Sequence, residues 1–133
     1  MSMITVLFQT ESHFPVSTQK IKDAVVAYLS TRVNSKTEIS VSIIGDRRMQ
    51  ELNKSYRKID ATTDVLSFPL NDPSQPMSPF VEMPDGVLRL GDVLVSYPQA
   101  VSEAADENKL VDDKIVELIE HGINHLLGIH HPE

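Results

Sequence analysis

The stretch from Val111 to about Leu127 limits what the rest of the chain can be. Its apolar residues Val111, Ile115, Leu118, Ile119, Gly122, Ile123 and Leu126 recur at spacings of three and four. At about 100° per residue they fill one wide arc of a helix. An arc this broad has to be buried against a sheet or other helices, and Gly128 stands where a helix-ending glycine belongs. The other segments supply the sheet. Ile4 to Gln9 reads as a strand, and Glu38 to Ile44 alternates Ile39, Val41 and Ile43 with polar residues. Asp64 to Phe68 and Val87 to Ser96 are two more strand candidates, with Gly91 marking a bulge or a close backbone approach. Helices are expected over residues 15–34, from a cap at Asp46 to about Tyr56, and over residues 98–109. The order β-α-β-α-β-β-α-α predicts an α+β fold, one domain over residues 1–133 with a mostly four-stranded mixed sheet and helices packed on it.

Composition narrows the function classes. Hydrophobic residues make up 41% and charged residues 23%, enough for a core and unlike a disordered chain. The absence of cysteine excludes disulfides, thiolate catalysis and Cys-ligated metal sites, and suits a cytoplasmic protein. The apolar run 3–8 is broken by Thr5 and lacks a basic leader. No stretch approaches the roughly 20 apolar residues of a membrane span, so no membrane partner is expected. Five of the eight prolines lie between Pro69 and Gly86, a loop that reads as a lid, a binding loop or a plain insertion. The net charge of −7 argues against a general nucleic-acid coat but not against a local basic groove. Residues 47–58 hold Arg47, Arg48, Lys54, Arg57 and Lys58 against one acid, whereas 101–120 hold seven acids and two bases. The molecule is expected to be dipolar, its basic side either a track for RNA or a solvated helix face.

Four of the five histidines fall in the last thirteen residues: His121, His125, His130 and His131. His121 and His125 are one turn apart and about 40° apart around the helix, at the edge of the apolar arc. Two imidazoles so placed can converge on one ion, and a turn at Gly128 lets a third, His131, close a three-histidine face. The spacing H-x-x-x-H-x-x-G-x-x-H is that of the metzincin zinc motif. Pro132 restrains His131 toward extended geometry. Surface decoration is the plain alternative for the i, i+4 pair. His130 reads as a neighbouring or solvated group, and His13 as a loop residue. One zinc ion with an open fourth position would lower the pKa of a bound water to about 7 or polarise a phosphoryl oxygen. Metalloproteases place Glu directly after the first histidine as general base, but here that position is Gly122. Gly122 either clears room for a substrate or packs closely on the sheet.

These residues, with a second run, resemble the YbeY family of bacterial rRNA-maturation endoribonucleases. The family's zinc signature H-G-x-x-H-L-x-G-Y-D-H is matched by the run His121-Gly-Ile-Asn-His125-Leu-Leu-Gly128-Ile-His-His131, with Ile129 and His130 in place of Tyr and Asp. The run from Asn53 through Tyr56, Arg57, Asp60 and Asp64 to Pro69 is similar to the family's N-x-x-Y-R-x-x-D-x-x-T-D-V-L-S-F-P. Leu90-Gly91-Asp92-Val93 resembles its L-G-D-I segment. The resemblance implies a zinc helix at the C-terminal end of an α+β domain, with one Zn2+ on His121, His125 and His131. It also implies cleavage of single-stranded RNA in rRNA maturation at the small-subunit 3′ end and in ribosome quality control. The partners implied are rRNA and the ribosomal small subunit or its assembly factors. Arg57 matches the family's functionally implicated arginine, and its guanidinium suits a phosphate; an ion pair to Asp60 or Asp64 is its plain alternative. Two other readings stay open: a zinc peptidase or amidohydrolase, and a ribosome-associated RNA-binding module with a structural metal.

Overall fold

Alternation and helical periodicity each find their partner in the computed structural model, which describes residues 3–70 and 86–128. Eight elements follow in the expected order. They are β1 (Ile4–Thr10), α1 (Thr18–Ser30), β2 (Thr37–Ile44), α2 (Asp46–Arg57), β3 (Val65–Pro69), β4 (Leu88–Ser96), α3 (Tyr97–Glu107) and α4 (Val111–Leu126). The sheet is mixed, ordered β1-β2-β4-β3, with β1, β2 and β4 parallel and β3 antiparallel to β4. The α+β class and the four-stranded mixed sheet are as the sequence predicts. The proline-rich segment 71–85 and residues 129–133, with His130 and His131, lie outside the described residues.

Consecutive strand residues point to opposite faces of a sheet, and here the two faces have different covers. Ile43, Val93 and Val95 belong to the main core, with Ile21, Val25 and Leu29 of α1 and Ile115, Ile119 and Ile123 of α4. Their neighbours Ile44 and Leu94 turn the other way. They meet Met49 of α2 and Leu66 of β3 in a second, smaller cluster. Helix α2 therefore packs on the face opposite α1 and α4. The strand β3 is an edge strand between the two layers: Val65 packs on the main core and Leu66 in the smaller cluster.

Gly91 serves both of the roles its position suggested. Between Glu38 and Ile39 the register on β4 jumps from Arg89 to Gly91, a one-residue bulge. Gly91 has φ of +131°, and a Cβ there would stand 2.1 Å from the Phe68 carbonyl oxygen. Only glycine lets β3 approach β4 at this point. Asp46 behaves differently from the expected cap. Gly45 is the N-cap of α2. The Asp46 carboxylate instead accepts hydrogen bonds from Thr62 Oγ1 (3.0 Å), Ser96 Oγ (2.7 Å) and Gln99 Nε2 (3.2 Å). Sitting in the first turn of α2, it also faces the positive end of the helix dipole. It fastens α2 to the approach to β3 and to the β4–α3 junction.

Candidate functional site

Helix α4 carries its apolar arc as the periodicity predicts: Ile115, Leu118, Ile119, Gly122, Ile123 and Leu126 are buried. His121 and His125 lie on the exposed side, because they sit beyond the edge of that arc. Gly128 follows the helix with φ of +76°, the left-handed conformation of a helix-ending glycine. Its N–H donates to the His125 carbonyl at 3.1 Å.

Both histidines face one cavity of about 420 Å³. Its opposite wall is formed by Thr63, Asp64 and Ser67 around β3, and Arg57 closes one side. Arg57 is the last residue of α2, which stops there because Lys58 is left-handed at φ of 61°. Among the described residues Arg57 pairs with neither Asp60 nor Asp64. Asp60 is taken by Lys54 at 3.9 Å and accepts from Gln50 Nε2 at 3.1 Å. Three of the four expected site residues thus meet at one cavity from two separate elements, and the fourth, His131, lies outside the described residues. Among the described residues no group of three or more His, Asp, Glu or Cys is arranged to hold a metal. A third donor would have to come from elsewhere.

The orientation of His125 bears on the metal. Its Nδ1 is 2.5 Å from Ser67 Oγ. A hydroxyl set against Nδ1 fixes the orientation of the ring, as the neighbours of metal-bound imidazoles do. Two imidazoles on one cavity wall are donors of the kind that hold a metal ion. Ser67 is a residue the histidine spacing could not reveal. Its only sequence signal was membership of the Asp64–Pro69 run.

Gly122 lines the same cavity, but its missing side chain answers to the sheet. A Cβ there would stand 2.8 Å from Val93 Cγ1 and 3.1 Å from Cγ2. Close packing on β4, rather than clearance for a substrate, accounts for glycine at this position. The metallopeptidase carboxylate would need this same position.

On the far side of His121 lies a second, acidic cavity of about 470 Å³, lined by Asp64, Glu103, Glu117 and Glu120 together with Lys114. Burial is the largest influence on the Glu103 carboxyl and pushes its pKa up. A hydrogen bond with Asp64 and the Asp64 charge push the same way, against Lys114. Lys114 is 6% exposed although it interrupts no apolar pattern. Its Nζ donates to Glu107 at 2.8 Å and Glu117 at 2.5 Å, and lies 3.4 Å from Glu103. Burial would lower the Lys114 pKa, but these carboxylates more than reverse that and hold it above the ordinary lysine value.

Comparison with known proteins bears on the family and the fold. The family model described as Endoribonuclease YbeY matches residues 7–133. A protein named Endoribonuclease YbeY from Anaeromyxobacter sp. (strain Fw109-5) is 36% identical over 113 residues, which cover 85% of this chain and 54% of that protein. One of the same name from Moorella thermoacetica is 38% identical over 99 residues, 74% of this chain and 63% of its own. Another from Dehalococcoides mccartyi (strain CBDB1) is 36% identical over 123 residues, 89% of this chain and 74% of its own. The chain thus spans between half and two thirds of the first two relatives and about three quarters of the third. The solution structure of TM1509 from Thermotoga maritima shares the fold, with a TM-score of 0.61 at 23% identity, over 96% of this chain and 75% of that one. By the extent of the family match, and by relatives above 30% identity, this chain belongs to the YbeY family.

Proposed function

We propose that this chain is a metal-dependent endoribonuclease that cuts single-stranded RNA, acting in the cytoplasm on rRNA at the small-subunit 3′ end and in ribosome quality control. The observation that carries the proposal is the convergence of Arg57, His121 and His125 on one open cavity. The relatives' shared name, Endoribonuclease YbeY, supports the reaction class. His121 and His125 hold the ion, one Zn2+, with His131 as third donor. Once bound there, the metal supplies Lewis-acid polarisation of a phosphoryl oxygen and makes water more acidic. Arg57 carries no competing ion pair to Asp60 or Asp64, so its guanidinium is available to grip a phosphate oxygen and oppose the charge that builds on it. Ser67 holds the His125 ring against rotation. The other basic residues of α2 lie at the surface and supply a track for the strand, with the ribosomal small subunit or its assembly factors as the setting.

The peptidase reading is disfavoured by Gly122, since the carboxylate such an enzyme needs would collide with Val93. A binding module with a structural metal needs a closed four-ligand site, which an open cavity does not favour. The test is a pair of measurements. Metal content by mass spectrometry is expected to fall in His121→Ala. Cleavage of a single-stranded RNA is expected to fall in both His121→Ala and Arg57→Ala, with metal content intact in the latter. Wild-type protein that carries metal but leaves RNA uncut would overturn the nuclease proposal in favour of the binding module. The product ends decide the attacking group: a 2′,3′-cyclic phosphate for the 2′-hydroxyl, a 3′-hydroxyl for water.

A further inference from the structure

Tyr56 is 66% exposed, although an aromatic ring gains from burial. It sits one residue before Arg57, on the last turn of α2. Its ring is not loose: it leans on Phe68 of β3, centroids 5.0 Å apart and planes at 57°. Phe68 is half-buried against the small cluster under α2, so the pair is anchored from below and open above. The neighbouring Ser67 points to the other face of the same edge strand, where its Oγ meets His125. An aromatic platform and the histidine cavity are therefore two sides of one strand edge, with Arg57 between them.

The surroundings select the kind of ligand. Lys54, Arg57 and Lys58 are exposed along the same end of α2, and only Lys54 has a carboxylate partner among the described residues, at 3.9 Å. Ile59, three residues beyond Tyr56, is 43% exposed. Leu70, which follows Phe68 at i, i+2, is 53% exposed. Cations interleaved with an exposed aromatic and apolar side chains match an unpaired nucleic-acid strand, whose phosphates need charge and whose bases need a flat apolar face. Bases in a duplex are already stacked and have no face to offer.

We propose that Tyr56 is the stacking platform for an unpaired base next to the phosphate held at Arg57, and so sets the preference for single-stranded RNA. This inference rests on the RNA reading above and deepens it. The strand passes over the β3 edge, with its phosphate on the cavity side and its base on the Tyr56–Phe68 side. Every base presents a π-face, so the contact selects for single-strandedness rather than sequence.

The experiment compares two fluorescently labelled probes of equal length and charge: a twelve-nucleotide oligouridylate and a strand of the same length with abasic sites. Binding to the protein as purified is followed by anisotropy, with thermal melting alongside. The wild type is expected to prefer the base-bearing strand about tenfold. Tyr56→Ala is expected to erase that preference, and Tyr56→Phe and Tyr56→Trp to retain it. Arg57→Ala is expected to weaken both strands alike. A preference that survives Tyr56→Ala, or a Tyr56→Ala variant that melts earlier yet still discriminates, overturns the stacking role alone. Binding of neither strand by the wild type overturns the RNA reading together with this one.

Discussion

The two halves of α4 use their polar side chains in opposite ways. In the first half Lys114 is surrounded: three carboxylates, from α3 and from α4 itself, leave its ammonium almost no contact with water. In the second half His121 and His125 lie exposed on a cavity, and His125 has one ring nitrogen set against Ser67. The same apolar arc buries both halves. What differs is whether the polar side chains close an ion-pair network among themselves or line a cavity. A staple between helices wants every charge answered, whereas a reactive site wants its donors held in a fixed orientation.

The sharpest way to break this contrast is to remove a histidine. His125→Ala is expected to lower metal affinity at least about 100-fold with little change in melting temperature, because the side chain is exposed. Calorimetric metal titration and thermal melting together check it, and a large loss of stability would mean that the second half is structural too. Gly122→Ala is expected to cost about 2 kcal/mol of stability through the clash with Val93, as overpacking does. The added Val93→Ala substitution should recover part of that loss in denaturant melts. No recovery would return the position to a role in the cavity. Ser67→Ala is expected to weaken metal binding about tenfold, with Ser67→Thr keeping more of it. The imidazole 15N shifts of the metal-free protein should show His125 losing its fixed tautomer.

The smallest effect belongs to the first half of the helix. Lys114→Met is expected to cost about 1 kcal/mol, because the partner carboxylates are partly exposed and can return to water. Its pH dependence carries more information. Hydrogen bonds from Lys109 and Lys114 hold the Glu107 and Glu117 carboxyls below their ordinary value of 4.5. A carboxyl with a depressed folded pKa contributes stability that is present above the unfolded value and lost as pH falls through the folded one. Glu103, raised mainly by burial, opposes this in part. The wild type should therefore lose stability through this cluster on acidification below about pH 4.5. Lys114→Met, left with mutually repelling carboxylates, should narrow its deficit over the same range. Melting curves between pH 3 and 7 would show the two converge, and parallel curves would rule out the staple.

Much of the architecture was legible because strands and helices announce themselves by period. All eight elements lie where alternation and three-four spacing put them, with ends shifted by a few residues. The shifts have local causes. Helix α3 stops at Glu107 because Asn108 is left-handed. Helix α1 ends at Ser30, before Thr31 at its C-cap, rather than at residue 34. The histidine pair and Arg57 were also legible, by spacing and by the two runs that resemble the family. The Ser67 contact to His125 was not, and neither were the bonding of Asp46 to Thr62, Ser96 and Gln99 or the choice between the two reasons for Gly122, because each depends on a partner far away in the chain. The burial of Lys114 was not legible either, because it depends on how α3 packs against α4.

The sequence by itself determined the secondary structure, the mixed α+β class and the set of side chains available for chemistry, because those follow from periodicity, glycine placement and residue type over short range. Only the tertiary structure decided which of those side chains meet. The antiparallel β3 at the sheet edge brings Ser67 to His125, and the last turn of α2 brings Arg57 to the same cavity. Both depend on burying two apolar faces of one sheet at once, a long-range condition that no local pattern encodes.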